Sequence, residues 1–235
     1  MGEKVVGIIG GMGPEATVDL MARVIRATSA ADDRDHIRML VDNNPKVPSR
    51  IRALIEGGGE SPAPCLREMA QKLAAWGVDF LAMPCNTAHH YYSDIREAVS
   101  IPVLNMVDMA VEACLIRNKN LKKVGLMAST AVLNLELYEQ SFAAEGVEML
   151  APPPAVQKGL MGAIRRIKTS VYGEEVRLIL QETADSLVGE GAELLLVACT
   201  ELSVISESLA VKVPLLDASQ ILAEAIVKKV KTDCT

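Results

Sequence analysis

The chain has 235 residues and a net charge of -6, and half of it is apolar with only two Phe, so aliphatic side chains must build the core, as is common in α/β folds. The absence of a broad basic field argues against nucleic acid as a partner. No apolar run has the length of a membrane span, the first residues lack the apolar stretch of a signal peptide, and the five cysteines form no short-spaced framework. A cytoplasmic protein with reduced thiols and no membrane partner is therefore expected.

Residues 5–9 read as a short buried strand, and Gly10, Gly11, Met12, Gly13 and Pro14 turn it into a helix over about 15–28, with proline where helices accept it. Gly11, Gly13 and Ala16 satisfy the dinucleotide pattern G-x-G-x-x-A, which raises an NAD-dependent oxidoreductase as one reading. The other is a backbone that turns tightly beside a ligand or packs helix on strand. A second strand is expected at 37–41. The loop after it, stiffened by Pro45 and Pro48, ends in Arg50, and a helix should begin near residue 51. Gly57, Gly58 and Gly59 make a flexible connection to an amphipathic helix at 65–76, with Leu66, Met69, Ala70 and Leu73 on one stripe and Cys65 as part of its packing.

An apolar run at 80–83 stops at Pro84 and Cys85, after which Asn86 or Thr87 should cap a helix reaching about residue 99. A thiol at that junction faces the positive end of a helix, which favours its thiolate. A strand at 101–105 and a helix at 109–117, with Cys114 buried and inert, complete the first half.

The pattern then recurs. Val124, Gly125, Leu126 and Met127 match Val6, Gly7, Ile8 and Ile9 at a separation of 118 residues (124 minus 6), with Ser129 and Thr130 in place of the glycine turn. A helix at 134–145, a strand at 147–150, a proline loop at 151–154 and a helix reaching residue 169 follow. Lys168 stands where Arg50 stood, since 168 minus 118 is 50. A helix at 174–189 leads to a strand at 194–197, then Cys199, Thr200 and Glu201. Residues 213–217 echo 101–105, and a helix at 218–231 closes the chain with basic residues in its last turns. The fold expected is α/β, two pseudo-symmetric halves with parallel sheets and the active site in the cleft between them, where residues after strand ends collect.

Two thiols at corresponding strand ends suit racemisation, which removes a proton from one face of a carbon and delivers one to the other. Without pyridoxal phosphate the protein itself must stabilise the carbanion, and Asn86, Thr87, Thr130 and Thr200 offer donors around the α-carboxylate. Arg50 and Lys168 would hold carboxylates, and Met12 in the glycine turn joins them among the candidate substrate contacts. Cys85 with His89 or His90 could be read as metal ligands, but no second Cys/His cluster with zinc spacing exists. Cys234 is expected to be incidental, and His90 and His36 surface or structural. A non-catalytic module closing on a small anion is a further alternative.

These residues carry a resemblance. Gly10 to Thr17, then Asn44, Pro45, Pro48 and Arg50, then Pro84, Cys85, Asn86, Thr87, Ala88 and His89, and finally Ala198, Cys199, Thr200, Glu201 and Leu202 make the chain resemble the cofactor-independent aspartate/glutamate racemase family over its whole length. The resemblance implies two Rossmann-like domains, a two-cysteine mechanism with no cofactor and no metal, a small amino-acid substrate and a homodimer. It implies that Arg50 and Lys168 match the family's carboxylate-holding residues. It also implies domains at 1–104 plus 215–235 and at 105–214, the last strand and helix returning to the first. One departure is that the family usually reads Ala, Thr, any residue, Gly, Thr where this chain has Ala128, Ser129, Thr130, Ala131 and Val132. A hydroxyl is lost at Val132 and regained at Thr130, and Leu135 replaces a frequent Ser, so aspartate, glutamate or a less polar amino acid stays open as substrate.

Overall fold

The computed structural model describes residues 3–231, and Cys234 lies outside them. The chain forms two compact units, one comprising the chain up to Met106 and from Ser219 onward, the other Val107–Ala218. Each holds its own parallel sheet.

In the first unit β1 (Val6–Gly10), β2 (Met39–Asn43) and β3 (Phe80–Ala82) lie in the order β2-β1-β3. β1 is buried along its whole length, as its continuous aliphatic run requires of a central parallel strand. Helix α1 (Pro14–Ala27) starts on proline at N1 and turns Ala16, Thr17, Leu20, Arg23 and Val24 inward at helical spacing. Helix α2 (Ala63–Ala75) buries Leu66, Met69, Ala70 and Leu73, the stripe read from the sequence. After β3 a 3-10 turn, Thr87–Tyr91, leads into α3 (Tyr92–Glu97). The expected strand at 101–105 reduces to a single bridge, Leu81 to Val103. Pro102 lacks the N–H that a longer ladder would use, although its carbonyl still accepts from the Leu81 N–H at 2.9 Å.

Helix α4 (Met106–Arg117) carries Cys114, fully buried and pushed up to about 12 by desolvation, which makes it inert. The second unit's sheet runs β5-β4-β6-β7, from β4 (Lys123–Ala128), β5 (Glu148–Leu150), β6 (Leu194–Ala198) and β7 (Leu215–Asp217). The continuous helix expected at 134–145 is broken instead into α5 (Thr130–Asn134) and α6 (Glu139–Ala144), because Glu136 takes a left-handed φ of 52°. Helices α7 (Pro154–Ile167) and α8 (Glu174–Gly189) follow, then the short α9 (Thr200–Ser203) after β6.

The sequence reading placed 215–235 with the first half. Strand β7 instead pairs with β6, Leu195 opposite Leu215, since its apolar Leu215 and Leu216 complete the second sheet. Helix α10 (Ala218–Lys231) does pack on the first unit. Arg23, buried and paired with Asp19 at 2.6 Å, donates to Gln220 Oε1 at 3.2 Å, and Lys229 Nζ sits 5.7 Å above the Phe80 ring.

The glycine turn after β1 is built for close approach. Gly11 has a φ of +92°, and a Cβ there would lie 2.2 Å from the Asn44 carbonyl. Gly162 in α7 has nothing within 4 Å of such a Cβ. Gly11→Ala should therefore cost about 2 kcal/mol or more, and Gly162→Ala should stabilise by about 0.5 to 1 kcal/mol. Urea unfolding of both variants checks this, and a Gly11→Ala midpoint equal to that of the parent would contradict it.

Candidate active site

Parallel strands put all their carboxyl ends on one edge of a sheet. In the first unit that edge carries the turn after β1, the proline loop after β2 and Cys85 after β3. The Thr17 hydroxyl accepts the Gly11 N–H at 2.9 Å and donates to the Gly13 carbonyl at 3.1 Å. The Gly11 amide that a dinucleotide's pyrophosphate would need is thus taken, which leaves the tight-turn reading of these glycines. Met12 is buried in one apolar cluster with Val47, Cys85, Ala88 and Tyr91. Its carbonyl accepts from Arg50 Nη2 at 3.2 Å, while Arg50 Nη1 donates to the carbonyls of Val47 and Pro48 at 3.5 and 3.2 Å. The guanidinium is held entirely by backbone and has no acidic partner among the described residues. The expected helix after it is a single π turn, Arg52–Glu56. Cys65 is half-buried and accepts from Asn44 Nδ2 at 3.6 Å, in keeping with a packing role.

Cys85 is buried at the end of β3. Asn86 is buried beside it in helical geometry and makes no side-chain cap, so the expected capping by Asn86 is not made. Thr87, half-buried, is the first residue of the turn. The turn is held by His89. Its Nε2 accepts the Met106 N–H at 3.0 Å, which places the ring proton on Nδ1, and Nδ1–H donates to the Cys85 carbonyl at 2.8 Å. Both ring nitrogens are thereby used, and His89 is no metal ligand; the described residues contain no cluster of three or more metal-binding side chains.

In the second unit β4 and β6 end side by side, with Ala128 opposite Ala198. Ser129 caps α5 by accepting the Val132 N–H, and Ala131 and Val132 are buried. Thr130 Oγ1 accepts from Gln157 Nε2 at 3.2 Å, and the same amide donates to the Ala128 carbonyl at 3.0 Å. With its oxygen so engaged, the Thr130 hydroxyl proton remains available to a ligand. Cys199 and Thr200 are buried just beyond β6. The Cys199 thiol donates to Glu201 Oε2 at 3.2 Å, and Lys168 Nζ, just beyond α7, lies 3.2 Å from Glu201 Oε1. Burial above all, with the Glu201 carboxylate next, holds the Cys199 thiol well above its ordinary range, so it is protonated at neutral pH. Ser203 and Ser206 donate to the two oxygens of Asp217 at 2.7 and 2.6 Å, tying α9 to the end of β7.

The sequence marks Glu201 within the Cys-Thr-Glu run without assigning it a role, and it does not mark Gln157 at all. The signal for Glu201 was its position two residues beyond a thiol on a one-turn helix. Gln157 offered none, since only the fold brings α7 to Thr130.

A profile of the Asp/Glu/Hydantoin racemase family matches residues 9–226. The chain belongs to that family. It is accordingly an isomerase. Among its relatives is RacX of Bacillus subtilis, a broad specificity amino-acid racemase, 26% identical over 226 residues that cover 94% of this chain and 96% of RacX. Among solved structures, the Picrophilus torridus aspartate racemase superposes with a TM-score of 0.81 at 30% identity, covering 97% of this chain and 94% of that one. Glutamate racemase from Francisella tularensis, solved with D-glutamate, shares the fold at a TM-score of 0.69 and 18% identity, with 99% and 82% covered.

His89 supplies a pH signature. Burial lowers its pKa from 6.5 to about 4. Its contribution to stability is complete above the unfolded value and is lost as pH falls from about 6.5 through 4, because the unfolded chain takes up the proton first; the total is on the order of 3 kcal/mol. His89→Gln should flatten the stability profile across that window in urea titrations, and an unchanged slope would mean that His89 is not buried neutral.

Proposed function

We propose that this racemase acts on amino acids by a two-base mechanism in which Cys85 and Cys199 take opposite sides of the α-carbon. One observation supports it most. In two units of matching strand order, each thiol is the buried first polar group beyond the corresponding strand, β3 in one and β6 in the other. A single base is poorly suited to take a proton from one face and deliver one to the other, which two groups on opposite faces can do.

In one direction Cys199, protonated in the resting protein, delivers a proton while Cys85 removes one; in the other the roles exchange. Glu201 holds the Cys199 proton in the first case and meets the returning one in the second. The carbanion formed between the two transfers needs donors at the α-carboxylate. Arg50 retains two of its five N–H groups after its three backbone bonds, enough for one bidentate contact. The Thr130 hydroxyl, aimed by Gln157, and the Thr200 hydroxyl, which makes no hydrogen bond within the described residues, add two more. Asn86 and Thr87 flank Cys85 for the same purpose, and Met12, its carbonyl spent on Arg50, offers an apolar wall.

The domain reading follows the same line: the two units are the two domains of the family fold. Reduced thiols are essential to this chemistry, and Cys65, Cys85, Cys114 and Cys199 form no disulfide. That favours the cytoplasm, and no described helix is long and apolar enough to cross a membrane. A homodimer is the assembly proposed, to be checked by sedimentation. The relatives' names divide on substrate, one specifying aspartate and one a broad range.

Incubation with amino acids in deuterated water, followed by NMR of the α-proton and chiral chromatography, tests the reading. Exchange with inversion is expected, whereas tight binding without exchange would favour a binding module instead. Cys85→Ser and Cys199→Ser should each lower racemisation by about a thousandfold without change in far-UV circular dichroism, and full activity in either would break the scheme. Arg50→Ala should raise KM by about tenfold or more; a KM equal to that of the parent would remove Arg50 from the site.

A further inference from the structure

Gln157, in the first turn of α7, uses only half of its amide. Both Nε2 hydrogens are committed, one to the Ala128 carbonyl at 3.0 Å and one to Thr130 Oγ1 at 3.2 Å. Turning the amide over would set its oxygen against the Ala128 carbonyl, acceptor against acceptor, so the orientation is fixed. Oε1 is then left buried with no hydrogen-bond partner among the described residues, on a side chain only 8% exposed. A buried acceptor in that state costs stability until a donor reaches it.

One amide therefore sets an unused acceptor next to the Thr130 hydroxyl, whose proton is available to a ligand. An α-amino acid presents the complementary pair on neighbouring atoms, a carboxylate that only accepts and an ammonium that only donates. Arg50, Asn86, Thr87, Thr130 and Thr200 serve the carboxylate as donors, and the ammonium needs an acceptor. A carboxylate in that role would cancel much of the ammonium's charge. The neutral Gln157 amide does not, and leaves positive charge beside the α-carbon where the carbanion develops.

We infer that Gln157 is a substrate-binding residue, its Oε1 accepting a hydrogen bond from the α-ammonium of the amino acid while its Nε2 aims Thr130. The inference rests on the racemase reading of the site, and the experiment separates the two. The intact protein is incubated in deuterated water with L-aspartate, L-glutamate and L-alanine in turn, and KM and kcat for α-proton exchange are read by NMR. For the amino acid exchanged fastest, the matching acid without its amino group (succinate, glutarate or propionate) is then measured as a competitive inhibitor. Gln157→Met keeps the length of the side chain and removes the acceptor. Loss of the Thr130 contact weakens both ligands alike, so the ratio of KM to the inhibition constant should rise by about tenfold or more only if the ammonium has lost its partner. Gln157→Glu keeps an acceptor and adds a charge, so the same ratio should fall by about threefold or more while kcat drops. A ratio unmoved in either folded variant would overturn the inference and leave the racemase reading in place. Exchange with none of the three, or with any other amino acid, would remove both. Far-UV circular dichroism checks the fold, and Gln157→Glu decides the question where Gln157→Met does not fold.

Discussion

Parallel strand pairing is the constraint on which the remainder depends. Because β1 lines up with both β2 and β3 in the same direction, and β4 with both β5 and β6, every strand in a unit delivers its following residue to one edge. Met12, the loop to Arg50 and Cys85 owe their common edge to that rule, as do Thr130, Cys199 and Asp217 in the other unit. The buried aliphatic ladder supplies the energy. The polar groups are carried where the ladder ends.

Those groups are then fixed by very local devices. Cys85 is secured by its own carbonyl, through a histidine whose tautomer is settled by a backbone amide. On the other side the thiol itself is gripped, by a carboxylate two residues further on, and that carboxylate is balanced by a lysine delivered from the end of α7. The two cysteines thus share a topological position without sharing an environment. One is placed by its backbone and the other by its proton.

Much of this was legible in the chain. Continuous aliphatic runs marked the strands, Pro14 and Pro154 marked helix starts, and the 118-residue recurrence (124 minus 6) tied Arg50 to Lys168 and one α/β half to the other. What could not be read were outcomes settled by tertiary geometry. Nothing local distinguishes residues 101–105, which form one bridge, from Leu215–Asp217, which form a strand; their neighbours decide it. The break at Glu136 is a backbone state that its side chain does not announce. Lys168 looked like an open anchor because its partner lies far off in sequence, and Gln157 looked like an ordinary helix residue for the same reason.

Helix α10 carries one more consequence. Since the chain leaves the first unit after Met106 and rejoins it at Ser219, the second unit is an insertion within the first. A ribosome therefore delivers every residue of the second unit before the first can be finished. Until α10 emerges, the buried Arg23 lacks Gln220 and the Phe80 ring lacks its ammonium. The unit begun before Met106 is thus completed only once the chain beyond Ser219 has been made.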